Sequence, residues 1–106
     1  MTNPWTGEVA LVIDGQRQVM KLTLGALAAL EAELDEAGLI GLVERFEDGS
    51  YATRDVIAVV LAGLRGGGWS GQDSDILAAE IGGGILQAVR AAGALLARAF
   101  SLPDTS

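Results

Sequence analysis

Residues 8–22 read EVALVIDGQRQVMKL, and this stretch decides the fold class. Apolar residues alternate with polar or small ones on both sides of Asp14-Gly15, a pair strongly favoured in two-residue hairpin turns. A two-residue loop sets the register: Ile13 lies opposite Gln16, Val9 opposite Met20, and Glu8 opposite Lys21. The last is a favourable opposite-charge pair. One face then carries Val9, Leu11, Ile13, Met20 and Leu22 and is expected to be buried. The other carries Glu8, Ala10, Val12, Arg17, Val19 and Lys21 and is mixed. Two strands alone are marginal in water, so helices must cover the apolar face. The outer edges of the hairpin are expected to stay unpaired and open to strand addition.

Downstream of the hairpin the pattern turns helical. Thr23 is placed to cap a helix over 24–37, with Leu24, Leu27, Leu30 and Leu34 near one stripe and Gly38 just past its end. A second helix is expected over 39–46, followed by a turn at Glu47-Asp48-Gly49-Ser50. Thr53 can cap a third, with Asp55 in its first turn, where a negative charge is favoured by the helix dipole. Val56, Ile57, Val59, Val60, Leu61 and Leu64 cover more than half of its circumference, which marks it as the central buried helix. Its β-branched content also suits a strand, but the caps and the Ala62-Gly63 spacing favour helix. Asp73 to Ile81 reads as a short fourth helix capped by Asp73 or Ser74. Ile85 to Phe100 reads as a long last one, with Ile85, Val89, Ala92, Leu96 and Phe100 on a stripe. Glycine runs at Gly66-Gly67-Gly68 and Gly82-Gly83-Gly84 separate these segments.

The expected architecture is one α+β domain, mainly helical: a two-stranded N-terminal hairpin followed by about five helices. Residues 1–7 are expected to form a flexible arm, 8–22 the hairpin, 23–100 the helical region and 101–106 a flexible tail. The 106 residues suit one domain, and half of them are apolar. Only 5% are aromatic, so Leu, Val, Ile and Ala must build the core.

Composition narrows the function. Cysteine and histidine are both absent from the sequence, which removes thiolate and imidazole metal sites and the usual nucleophile–base pairs. Lys21 is the only lysine and sits on an expected strand, a poor setting for a Ser-Lys pair. Glu31 and Asp35 share a helix face, where like charges more often face solvent than form the paired acids of a glycosidase. Neither glycine run is followed by the lysine of a phosphate-binding loop. Asp73-Ser74-Asp75 is too short for a calcium loop and reads as a helix start. No catalytic, cofactor or metal site is expected.

The net charge of −7 argues against nucleic acid and anionic membranes as partners. No leader pattern and no membrane-length apolar run is visible, so the cytoplasm is the expected compartment. Seven acids between Glu31 and Asp48 face one base, Arg45. They read as a solvated helix face or as a docking surface for a basic partner.

The candidate binding residues are Gly66, Gly67, Gly68 and Trp69, because tryptophan in a glycine loop suits a binding hot spot as well as it suits a core cover. Leu96 and Phe100 on the last helix come next. Trp5 is either a staple onto the domain or part of an assembly arm. Self-association through the hairpin edge or the alanine-rich last helix is a further option.

Five segments, taken in order, resemble a known family: Asn3-Pro4-Trp5 with Gly7-Glu8-Val9, Leu22 to Glu31, Leu42-Val43-Glu44-Arg45-Phe46, Ala62 to Trp69, and Leu95 to Phe100. Together they are similar to the small tail proteins of alphaproteobacterial gene transfer agents and related prophages. That family carries two descriptions, tail tube protein and tail assembly chaperone. The resemblance implies a non-enzymatic role in tail morphogenesis, with the tape-measure protein and the tail tube protein as partners, in the cytoplasm during assembly or in the particle tail. One hairpin is too little strand for a barrel-lined tube, which favours the chaperone. A structural tail component is the second reading and a small soluble regulatory binding module the third.

Overall fold

The computed structural model describes residues 8–100. Two strands, β1 (Val9–Ile13) and β2 (Gln16–Met20), pair antiparallel with Val9 opposite Met20 and Ile13 opposite Gln16, the register the two-residue turn requires. Asp14 (φ 50°) and Gly15 (φ 78°) both adopt positive φ, as a hairpin turn matched to the strand twist demands. Leu11, Ile13 and Met20 are buried on the inner face, with Val9 and Leu22 half-buried beside them.

Five helices follow: α1 (Leu24–Ala32), α2 (Gly38–Asp48), α3 (Thr53–Gly66), α4 (Asp73–Leu77) and α5 (Gly84–Phe100). The mainly helical α+β fold read from the sequence is therefore the one observed. The core joins Leu11 and Met20 of the hairpin to Leu30, Leu42, Val56, Val59, Leu64 and Leu95 of the helices. Helix α3 lies at its centre, packed on α1, α5, α4 and β2.

Several helix boundaries and two helix faces differ from expectation. Helix α2 runs into the expected turn as far as Asp48. Helices α3 and α4 have Ala52 and Gln72 as N-caps in place of Thr53 and of Asp73 or Ser74, because the carboxylates of Asp55 and Asp75 at the third position accept the cap N–H groups. Thr23 does cap α1, its Oγ1 accepting the Ala26 N–H at 3.1 Å. But α1 stops at Ala32, not Ala37. Glu31, Glu33, Asp35 and Glu36 crowd the end where the helix dipole disfavours negative charge, and the Asp35 carboxylate accepts the Ala37 N–H at 3.0 Å instead of letting the helix continue. Gly38 (φ 63°) then opens α2 rather than closing α1. Leu24, expected on the buried stripe, is 86% exposed.

Helix α4 ends at Leu77, not Ile81, because the next residues serve the hairpin. Asp14 N–H donates to the Glu80 carbonyl, Glu80 N–H to Asp14 Oδ1, and Gly82 N–H to the Val12 carbonyl, all at 2.8–2.9 Å. Ile81 forms a bridge with Ile13. The β1 edge is therefore met by the chain itself at its Val12–Ile13 end. On the other side, Lys21 N–H donates to the Gly63 carbonyl at 2.9 Å, and the end of α3 lies along β2. The expectation of two open edges is corrected accordingly.

On α5 the buried residues are Ala88, Ala91, Ala92, Leu95 and Leu96. The stripe expected through Ile85 and Phe100 is rotated toward the alanines, and those two residues are 61% and 41% exposed. Small side chains face the gap because α5 lies close to α3 and β1. At Gly63 the approach is tight enough that a Cβ would come within 2.6 Å of Leu95 Cδ1 and 3.1 Å of Met20 Cβ.

An ion pair ties α2 to the start of α3. Arg45 Nε and one terminal nitrogen donate to the two carboxylate oxygens of Asp55, each at 3.1 Å. Asp55 Oδ2 also accepts the Ala52 N–H at 2.8 Å, capping α3 from its third position. Asp55 is 6% exposed. Burial pushes its carboxyl up, but the hydrogen bonds from Arg45 and Ala52 and the charges of Arg45 and Arg54 outweigh it and hold it below the ordinary 3.8. The unfolded chain therefore takes up this proton first. The stabilisation is whole above about pH 4 and is lost as pH falls through the lower folded value. Asp55→Ala is expected to cost about 2 kcal/mol at pH 7 by urea unfolding. Asp55→Asn should flatten the loss of stability on acidification; an unchanged acid limb would assign it to other carboxylates.

Candidate functional site

The glycine run singled out in the sequence sits where α3 meets β2. A Cβ on Gly66 would collide with the Lys21 carbonyl oxygen, and one on Gly67 with that of Val19. Gly68 (φ 96°) takes the left-handed conformation that closes a helix, and Trp69 N–H reaches back to the Leu64 carbonyl at 2.8 Å. The Trp69 ring is half-buried against the core and lies over Gly71. Helix α4 is tied to this corner through an ion pair between Arg65 and Asp73, and the Asp75 carboxylate accepts the Gln72 N–H at its start. The run is thus a close backbone approach as well as a turn. Trp5 lies outside the described residues, as do the arm and tail expected at 1–7 and 101–106.

Leu96 and Phe100 belong to a different place. Helices α2 and α5 barely touch, and between them runs a groove of about 460 Å³. Val43, Phe46 and Glu47 of α2 form one wall, with Tyr51 at its end. Val89, Gly93, Leu96 and Phe100 of α5, at helical spacing, form the other. Phe46 and Tyr51 stack with ring centroids 4.9 Å apart and planes 17° from parallel, a stable offset for two aromatic faces. Leu96 is 3% exposed and supplies the floor, and Phe100 stands at the lip. The glycine run and Trp69 are not in its walls.

Sequence reading missed Val43, Phe46, Tyr51, Val89 and Gly93 as a set. The signal was partial: Val89, Leu96 and Phe100 share a stripe, but nothing local brings α2 opposite it. Gly93 is the informative member. Unlike Gly63, Gly66 and Gly67, it has open space where a Cβ would stand, and its φ is not positive. A glycine inside a helix costs about 1 kcal/mol relative to alanine, and no packing among the described residues accounts for it.

The groove offers apolar surface, one carboxylate at the rim and no nucleophile–base pair. Among the described residues no cluster of acids gathers to hold a metal ion, and no helix is long and apolar enough to cross a membrane. Gly67→Ala is expected to lower stability by about 1–3 kcal/mol through its clash with β2. Gly68→Ala, with open space around it, should cost only about 1 kcal/mol of backbone strain. Denaturant midpoints of the two variants check the order, and a reversal would free Gly67 from a packing role.

The family described as phage tail tube protein, GTA-gp10, matches residues 6–102. No curated protein and no solved structure matches the chain.

Proposed function

The chain belongs to the phage tail tube protein, GTA-gp10 family, and from that membership we propose that it is a tail-assembly chaperone. It binds the tape-measure protein and shields apolar segments of it in the bacterial cytoplasm until tube subunits replace it. The observation that carries this reading is the state of the sheet. A tube wall made of strands closes by pairing edge to edge with its neighbours. Here the sheet has two strands of five residues, and stretches of both outer edges meet the chain's own backbone at Gly82 and Gly63. The helical surface instead leaves an apolar groove open between α2 and α5. Binding by such a surface needs no nucleotide and no bond-making step, so the proposed role is stoichiometric and not enzymatic.

The second reading is a structural part of the tail, and the family's description as a tube protein favours it. Tail-related partners follow from either reading; the tape-measure protein is specific to the first. Co-expression with the tape-measure protein is expected to give co-purification and more soluble tape measure. If neither occurs, the chaperone reading fails. Mass spectrometry of purified particles is expected to find the chain absent or far below stoichiometry with the tube. One copy per tube subunit position would establish the structural role instead.

A further inference from the structure

We propose that the α2–α5 groove takes an amphipathic helix of a partner protein, one with a stripe of small and medium apolar residues flanked on one side by Lys or Arg. The inference rests on the chaperone reading only for the source of that helix.

Three observations carry it. First, the groove is a paired-helix trough lined by Val43, Phe46, Val89 and Leu96, with Phe100 at its lip. An amphipathic helix buries its stripe in such a trough with anchors at i, i+3 or i+4, and i+7. Second, Gly93 stands in the α5 wall with open space where a Cβ would be. A notch of this kind lets a second backbone approach closely, and among the described residues nothing fills it. Third, the rim is asymmetric in charge. Exposed Glu47 lines the α2 side, exposed Glu44 lies one turn before it on the same helix, and the base between them in sequence, Arg45, is turned to Asp55. On the α5 side the exposed Arg90 shares a helix face with Gly93 and Ala97. A partner helix with its bases over α2 meets opposite charge, and Arg90 repels the reversed placement. The charges then set orientation while the apolar floor supplies the contact area.

Glycine at position 93 also separates this reading from simple core packing. Leucine there is a better helix former than glycine and points into open space, so Gly93→Leu should fold at least as well as the parent chain. It should nevertheless fill the notch and block the partner.

The test is a titration of the ¹⁵N-labelled full chain with two designed peptides of about five helical turns. Both carry the same Ala/Leu stripe; one is flanked by lysines on one side, the other by glutamates in the same places. The lysine peptide is expected to shift the amides of Val43, Phe46, Gly93 and Ala97 and to bind at least about tenfold tighter than the glutamate peptide. Gly93→Leu should weaken it by about tenfold or more with an unchanged circular dichroism spectrum. Glu44→Lys with Glu47→Lys should reverse the preference between the peptides. The proposal is overturned if Gly93→Leu binds as the parent does, or if the shifts fall elsewhere. It is also overturned if sedimentation shows a dimer that Gly93→Leu dissociates, which gives the groove to a second copy. A chain ending at Phe100 that binds the lysine peptide about tenfold tighter would give it to residues 101–106. The peptides probe the groove, and co-purification with the tape-measure protein probes the chaperone role, so either can fail without the other.

Discussion

The fork between Arg45 and Asp55 is the constraint on which the arrangement of the helices turns. Helix α2 buries Gly41 and Leu42 fully and packs Leu39, Val43 and Phe46 on the core only in part, and its packing on the neighbouring helices is sparse. Its far half is further held by the paired contact of the Arg45 guanidinium with both oxygens of Asp55, beside the Phe46–Tyr51 stack. The same carboxylate caps α3 by accepting the Ala52 N–H. One side chain therefore starts the central helix and fixes a second helix beside it. A planar guanidinium meeting a carboxylate in two bonds restricts rotation as well as distance. Helix α2 is thereby held near α5 without being packed on it, and the groove is the space left between them.

The second constraint is backbone approach. Helix α3 is pressed against β2 along its last turn, where Gly63, Gly66 and Gly67 leave room for the Met20, Lys21 and Val19 backbone and side-chain atoms. The hairpin needs this, because two strands cannot hold together unaided. Residues 80–82 close the opposite edge through bonds to Asp14 and Val12. The sheet is thus built into the helical layer from both sides, and its inner face completes the core through Leu11, Ile13 and Met20.

How much of this was legible in the sequence depended on the range of the interaction. The hairpin register followed from Asp14-Gly15, since a two-residue turn admits one pairing. Helix α3 followed from its apolar periodicity, but its N-cap is Ala52 and not Thr53, the capping oxygen coming from Asp55. The ends of α1 and α4 were not legible. The first depends on an Asp35 side chain competing for a backbone amide, and the second on a contact between residues 14 and 80. The face of α5 was misread because large apolar residues weigh most in a stripe, whereas the width of the gap selected Ala88, Ala91 and Ala92. For the site, Leu96 and Phe100 were legible as a stripe. Their partners Val43 and Phe46 lie about fifty residues away in sequence, and the Arg45–Asp55 tie and the packing of α2 on the core place them opposite.

That choice of alanines gives α5 an uncommon division of labour. Its inner face buries Ala88, Ala91 and Ala92 beside Leu95 and Leu96, so that close approach adds to bulk in stabilising it. Three of its larger apolar residues, Ile85, Leu86 and Phe100, remain 61%, 58% and 41% exposed. Left alone, such residues favour indiscriminate association. A net charge of −7 on 106 residues opposes that by repulsion between copies, which acts before apolar surfaces can touch. The same repulsion does not act against a partner carrying positive charge. For the partner helix proposed above, acidity and exposed apolar surface would then act together: the charge opposes contact between copies and attracts a partner of opposite sign to the apolar surface.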